Sequence, residues 1–266
     1  MLVILSNNIG RSQVNDSIVK PTATDLLLSQ PNFSIYRDNY FVTGTTLKES
    51  PSTQNSDVKY QISIKHLLSR KPVFDNAYAF ITYTQKSFWK VYKESSPFED
   101  INFNPGIGLM RPYTSKKGRI GYYSVMLEHE SNGRDSITSR SWNFVSLNWR
   151  TELNDRVFLK TKVLIPFAVA DENSDLLDYV GFADVGMTYV LKKEKLYTDV
   201  LLKKGANWDW KGAVQVQLVY SPFKSANQYF MLQWYHGYGE GLLDYDKKTS
   251  FVRFGIIIKP NFMNFF

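Results

Sequence analysis

The sequence predicts an all-β fold, a single antiparallel transmembrane β-barrel of about twelve strands. Three observations predict it. Apolar and polar residues alternate with period two through most of the chain beyond about residue 36. Several alternating runs reach roughly 10 to 13 residues, longer than the about 5–6 of a soluble strand and right for a tilted span of the bilayer. The polar face of these runs carries bulky charge at mid-strand, in Lys160, Lys162, Asp184 and Arg253, which a wet or hydrogen-bonded lumen accepts.

Composition supports a folded, strand-rich chain. Hydrophobic residues make up 43% and aromatic residues 15%, with 17 tyrosines and 18 phenylalanines, which pack well on pleated surfaces. The absence of cysteine excludes a disulfide framework and a thiolate metal site. The formal charge of +7 is spread through strand-like segments rather than clustered, so nucleic acid is not an expected partner. No apolar run approaches the roughly 18 residues of a helical membrane span. The first residues, Met1 to Asn8, lack the basic region of a signal peptide.

Residues 1–35 contain Pro21 and Pro31, show no sustained period, and read as a partly irregular N-terminal arm. Residues 36–266 form the expected barrel, beginning with Tyr40 to Thr46. Val58 to Lys65 alternates without error, placing Val58, Tyr60, Ile62 and Ile64 opposite Lys59, Gln61, Ser63 and Lys65. Further strands are expected over Ala77–Trp89, Ile101–Met110, Arg119–Ser131, Ser141–Leu153 and Val157–Val163. The last five are Tyr179–Leu191, Lys195–Lys203, Gly212–Tyr220, Gln228–Tyr235 and Ser250–Lys259. The chain closes on Phe265-Phe266, and a terminal aromatic is similar to the ending of outer-membrane barrels.

The chemistry concentrates between Leu127 and Asn143. On an extended segment, His129 and Ser131 continue the face of Tyr123, Val125 and Leu127. On the next strand Asn143 continues the face of Val145, Leu147 and Trp149. In a membrane barrel that apolar face meets lipid, the natural place for cutting acyl chains from lipids of the same leaflet. Residues i and i+2 stand about 7 Å apart, within reach of an imidazole and a hydroxyl. An opposed Asn143 would fix the His129 tautomer through its amide carbonyl but stabilise imidazolium less than a carboxylate does, which calls for a cation near the oxyanion. A His-x-Ser pair alone is commonplace. His66 reads as an interfacial residue and His236 as part of a loop. Gly237-Tyr238-Gly239-Glu240-Gly241 is not a phosphate loop, because no helix follows it.

Several motifs in one order carry more weight. These are His129-Glu130-Ser131-Asn132-Gly133-Arg134, Thr138-Ser139-Arg140-Ser141-Trp142-Asn143, Tyr83 to Trp89 with Glu94-Ser95-Ser96-Pro97-Phe98, and Gly237-Tyr238-Gly239-Glu240 with Asp244-Tyr245. Together they resemble the outer-membrane phospholipase A family of Gram-negative bacteria, from about residue 36 to the C-terminus. The resemblance implies a calcium-dependent hydrolase of phospholipid and lysophospholipid acyl esters in the outer membrane, active as a homodimer. It implies Ser131 as nucleophile, His129 as general base and Asn143 as its orienting residue, with the Gly133 N–H at the oxyanion. Ca2+ would be held by the Arg134 carbonyl, the Ser139 hydroxyl and Ser95 from the partner subunit, with Gln85 at the dimer interface. The first 35 or so residues carry no motif that adds to the resemblance. The rival readings are a non-enzymatic barrel, porous or structural, and a soluble all-β binding module.

Overall fold

The structure, a computed structural model, describes residues 20–222 and 228–259. Most of the expected arm and the C-terminal aromatics lie outside the described residues. In chain order the elements are α1 (Ala23–Ser29), β1 (Phe33–Ile35), β2 (Asn39–Thr46), β3 (Ser56–Leu67), β4 (Tyr78–Trp89), β5 (Phe98–Thr114) and β6 (Ile120–Ser131). They continue as β7 (Ser141–Asn154), β8 (Val157–Val169), α2 (Leu176–Val180), β9 (Ala183–Lys192), β10 (Leu196–Lys204), β11 (Gly212–Tyr220), β12 (Gln228–Gly237) and β13 (Thr249–Ile258). From β2 onward each strand pairs antiparallel with the next, and β13 pairs back onto β2, closing a twelve-stranded barrel.

Alternation decides which way each side chain looks. Ile62, Ile81, Val125, Leu127, Leu147, Val185, Leu232 and Phe254 are exposed on the outer wall. Lys59, Ser63, Lys65, Glu128, Gln217 and Arg253 are buried within the lumen. Apolar outside and charged inside is the membrane-barrel arrangement, and it reverses that of a soluble barrel.

Many of the inward charges are paired. Arg253 forks onto Asp57 at 2.7 and 2.8 Å and reaches Glu240 at 2.7 Å, while Lys59 meets Glu240 at 2.9 Å. Lys259 bridges Asp199 and Asp38. Hydrophobic clusters cover this polar layer at both ends. At one end Ala23 and Leu27 of α1 pack on Leu67, Tyr78, Phe80, Met110 and Met126. At the other, Trp142, Phe144 and Leu164 pack with Leu176 of α2 and with Leu242 and Tyr245 of the β12–β13 loop. A cavity of about 310 Å3 remains between them.

Several expectations are corrected. Tyr179 and Val180 do not begin a strand: they belong to α2, which ends at Gly181 (φ 72°), and β9 starts at Ala183. Burial of Leu176 outweighs the local alternation. His236 lies within β12, stacked on Trp234, rather than in a loop. β5 continues past Met110 to Thr114 despite Pro112, which lies beyond the end of the β4 ladder and leaves no donor missing there. Within residues 1–35, Thr22 and Asp25 form a capping box that starts α1. β1 extends the barrel along β3.

Candidate active site

β6 and β7 present the residues singled out above. Their outward positions on β6 include Tyr123, Val125 and Leu127, at 53%, 52% and 50% exposure, and His129 and Ser131 continue the same row. The antiparallel register sets His129 directly opposite Asn143 and Ser131 opposite Ser141. His129 Nδ1 lies 2.9 Å from Asn143 Oδ1. With the Nδ1 proton donated to that carbonyl, Nε2 is left with its lone pair. Ser131 shares the face two residues along, and its hydroxyl forms no hydrogen bond among the described residues, to His129 included. The structure thus joins His129 to Asn143 and leaves the Ser131 hydroxyl unengaged.

The neighbouring strands hold this pair in place. On β8 the register slips beside Asn143, which pairs with Ala168 while Phe144 pairs with Pro166, so Phe167 is bulged out and 61% exposed. Asn173, buried after β8, accepts from the Ser141 N–H at 3.0 Å and donates to the Ser141 carbonyl at 3.2 Å, securing the start of β7. On the β5 side, Asn104 Nδ2 donates to the His129 carbonyl at 2.9 Å.

Residues 132–140 connect the two strands, and the buried Asn132 shapes them. Its amide donates to the Thr138 carbonyl at 2.8 Å and accepts from the Arg134 and Arg140 N–H groups at 3.3 and 3.0 Å. Gly133 has φ 65°, and a Cβ there would sit 2.9 Å from the Phe103 ring, so glycine is favoured on both counts. The Arg140 guanidinium lies over the Tyr245 ring at 5.7 Å. Burial and the hydrogen bond donated to Asp175 both push the Tyr245 hydroxyl above its ordinary pKa, which keeps it protonated as that donor.

Three oxygens were expected to bind a cation. The Arg134 carbonyl and Ser139 hydroxyl lie on this loop, and neither takes a hydrogen bond from another described residue. Ser95, with φ 62°, is exposed on the separate β4–β5 loop and forms no hydrogen bond to either. No group of three His, Asp or Glu among the described residues could hold a metal. The available donors are therefore neutral oxygens, a set suited to a hard cation that keeps several waters. Gln85 looks outward from β4 and finds partners within the chain, accepting from the Tyr83 hydroxyl at 3.0 Å and donating to Ser87 Oγ at 3.2 Å.

A sequence model described as Phospholipase A1 matches residues 24–258, nearly the whole described barrel. The chain belongs to the phospholipase A1 family. The phospholipase A1 of Salmonella typhimurium is 32% identical over 243 residues, covering 85% of this chain and 81% of that protein. That of Escherichia coli K12 is 29% identical over 218 residues, covering 79% and 72%. Among solved structures, the calcium-bound dimer of the Salmonella typhi outer membrane phospholipase superimposes with a TM-score of 0.79 at 26% identity, over 90% of this chain and 97% of that one. The Escherichia coli outer membrane phospholipase A gives 0.76 at 25% identity, over 90% and 99%. The enzyme is accordingly an outer-membrane acyl ester hydrolase, and its barrel is the fold of these structures.

Sequence reasoning assigned no role to Asn104, Asn132 or Asn173. Asn132 stood inside a recognised motif, and its place before a glycine was the available signal. Asn104 and Asn173 had none, because their partners are 25 and 32 residues away.

Proposed function

We propose that the chain is a calcium-dependent, dimer-activated phospholipase that uses a Ser131–His129–Asn143 triad on its lipid-facing wall. Ser131 Oγ attacks the ester carbonyl carbon of a phospholipid or lysophospholipid, and His129 Nε2 takes the hydroxyl proton. The tetrahedral intermediate collapses with cleavage of the acyl C–O bond, and the imidazolium returns the proton to the leaving alkoxide. Water, deprotonated by the same nitrogen, then splits the acyl-enzyme into fatty acid and free Ser131. Throughout, the Asn143 carbonyl holds the Nδ1 proton and keeps the ring oriented. The Gly133 N–H, in a loop whose φ frees that residue from the strand ladder, serves the oxyanion.

The Arg134 carbonyl and Ser139 hydroxyl, completed by the partner subunit's Ser95, would hold Ca2+. When bound, the ion would supply positive charge to the developing oxyanion, offsetting the weaker support that an uncharged asparagine gives the imidazolium. Dependence on the second copy follows, because one chain offers only part of the ligand set. Gln85 would join the two copies by exchanging its intrachain partners for its twin. The calcium and the dimer of the Salmonella typhi structure support this reading.

The carrying observation is the 2.9 Å contact between His129 and Asn143 on the outer wall, beside Ser131 on the same face. The test is fatty-acid release from micellar phospholipid by Ser131→Ala. A loss of at least about 10³-fold is expected, with the barrel still folded. Undiminished release would end the proposal.

A further inference from the structure

The antiparallel ladder between β5 and β6 is continuous in register but lacks two rungs, those that would pair residues 104 and 105 with 130 and 129. Position 105 is proline. The His129 carbonyl points towards β5, because it accepts a hydrogen bond from Asn104 Nδ2 on that strand. In an antiparallel ladder the donor for that carbonyl is the backbone N–H of the residue directly opposite, and the residue opposite is Pro105, which has none. The Asn104 side chain, buried on the inner wall, therefore stands in for the missing backbone donor.

We propose that Asn104 is a positioning residue for His129, replacing the ladder bond that Pro105 removes and so fixing the backbone from which the imidazole projects. The inference rests on the reading of His129 as the general base. His129 is gripped from two sides. Asn143 holds its ring on the β7 side, and Asn104 holds its carbonyl on the β5 side. Both grips are carboxamides, one accepting and one donating. Without the Asn104 donor, the carbonyl is left unpaired at the residue where placement of the ring matters most.

The test uses the full chain refolded in detergent, with Asn104→Ala, Pro105→Ala and the double variant, assayed on a lysophospholipid at saturating calcium. Asn104→Ala should lower kcat about tenfold with KM unchanged, as expected for a displaced rather than absent base. In the double variant the alanine at 105 carries an N–H that can reach the His129 carbonyl, so kcat should recover to within about threefold of Pro105→Ala alone. The 15N resonances of the His129 ring supply a readout independent of turnover: they should move in Asn104→Ala and return in the double variant. Wild-type kcat and unmoved resonances in Asn104→Ala would overturn the proposal, as would a double variant no faster than Asn104→Ala. If the unsubstituted chain released no fatty acid, the triad reading would fail, and the ring resonances would still decide whether Asn104 positions His129.

Discussion

Glu128 and His129 are consecutive on β6 and face opposite sides of the barrel wall. Glu128, almost wholly buried, looks into the lumen and is saturated. Its Oε1 accepts from Ser146 and from Lys162 at 2.8 Å, and its Oε2 meets Arg37 at 3.3 Å. His129 looks outward and is held at one ring nitrogen only. Around it, the Ser131 hydroxyl, the Arg134 carbonyl and the Ser139 hydroxyl all keep spare hydrogen-bonding capacity. Glu128 has its valences filled by protein. Under the proposed function, the outward groups keep a valence for substrate, proton or ion at the lipid boundary where the substrate is.

The comparison breaks if the two neighbours exchange roles on mutation. The largest expected effect is on the inward side: Glu128→Ala leaves the half-buried Arg37 and Lys162 beside each other without a counter-charge and the buried Ser146 hydroxyl without its acceptor. The loss should be about 3 kcal/mol in urea unfolding of the barrel, with the turnover of each folded molecule little changed. Next comes the outward side. Asn143→Ala should lower kcat about 10²-fold while leaving the unfolding midpoint within error, since the imidazole loses the acceptor that fixes its tautomer. If Asn143→Ala destabilised the barrel as much as Glu128→Ala, the division between saturated and open polar groups would be wrong. Ser139→Ala removes one neutral oxygen from the proposed cation site. It should raise the calcium concentration for half-maximal activity about tenfold, with chelation abolishing activity in both forms.

The outward half of this contrast was legible in the sequence because period two is a local signal. It placed His129 and Ser131 on the face of Leu127 and Val125 without any knowledge of their partners. The inward half was not. Arg37 reaches Glu128 from the irregular stretch between β1 and β2, where residues 36–39 face only residues 62 and 63 of β3. No periodicity predicts that bulge, and its partner is 91 residues away. α1 was missed for a similar reason. Seven residues with one capping box make a marginal helix alone, and it is the packing of Ala23 and Leu27 on the barrel end that stabilises it. The segment at Tyr179 and Val180 shows the reverse error, in which apolar residues suggested a strand but pack as a helix against the loop around Tyr245.

Gln85 tests the boundary between the two classes and should give the smallest effect. It faces lipid like His129, yet its amide already has partners in the isolated chain, Tyr83 and Ser87. If it also joins two copies, dimerisation exchanges these bonds for equivalent ones across the interface, and only their difference stabilises the dimer. Gln85→Ala should therefore weaken self-association in micelles by about 1 kcal/mol or less, roughly fivefold in the dissociation constant, as read by analytical ultracentrifugation at saturating calcium. Activity at low protein concentration should fall by the same factor and recover at high concentration, because the triad is untouched. A fall in activity that concentration does not restore would place Gln85 with the chemistry of one chain instead of the contact between two. It would then count among the open polar groups of the outer wall, beside Ser131.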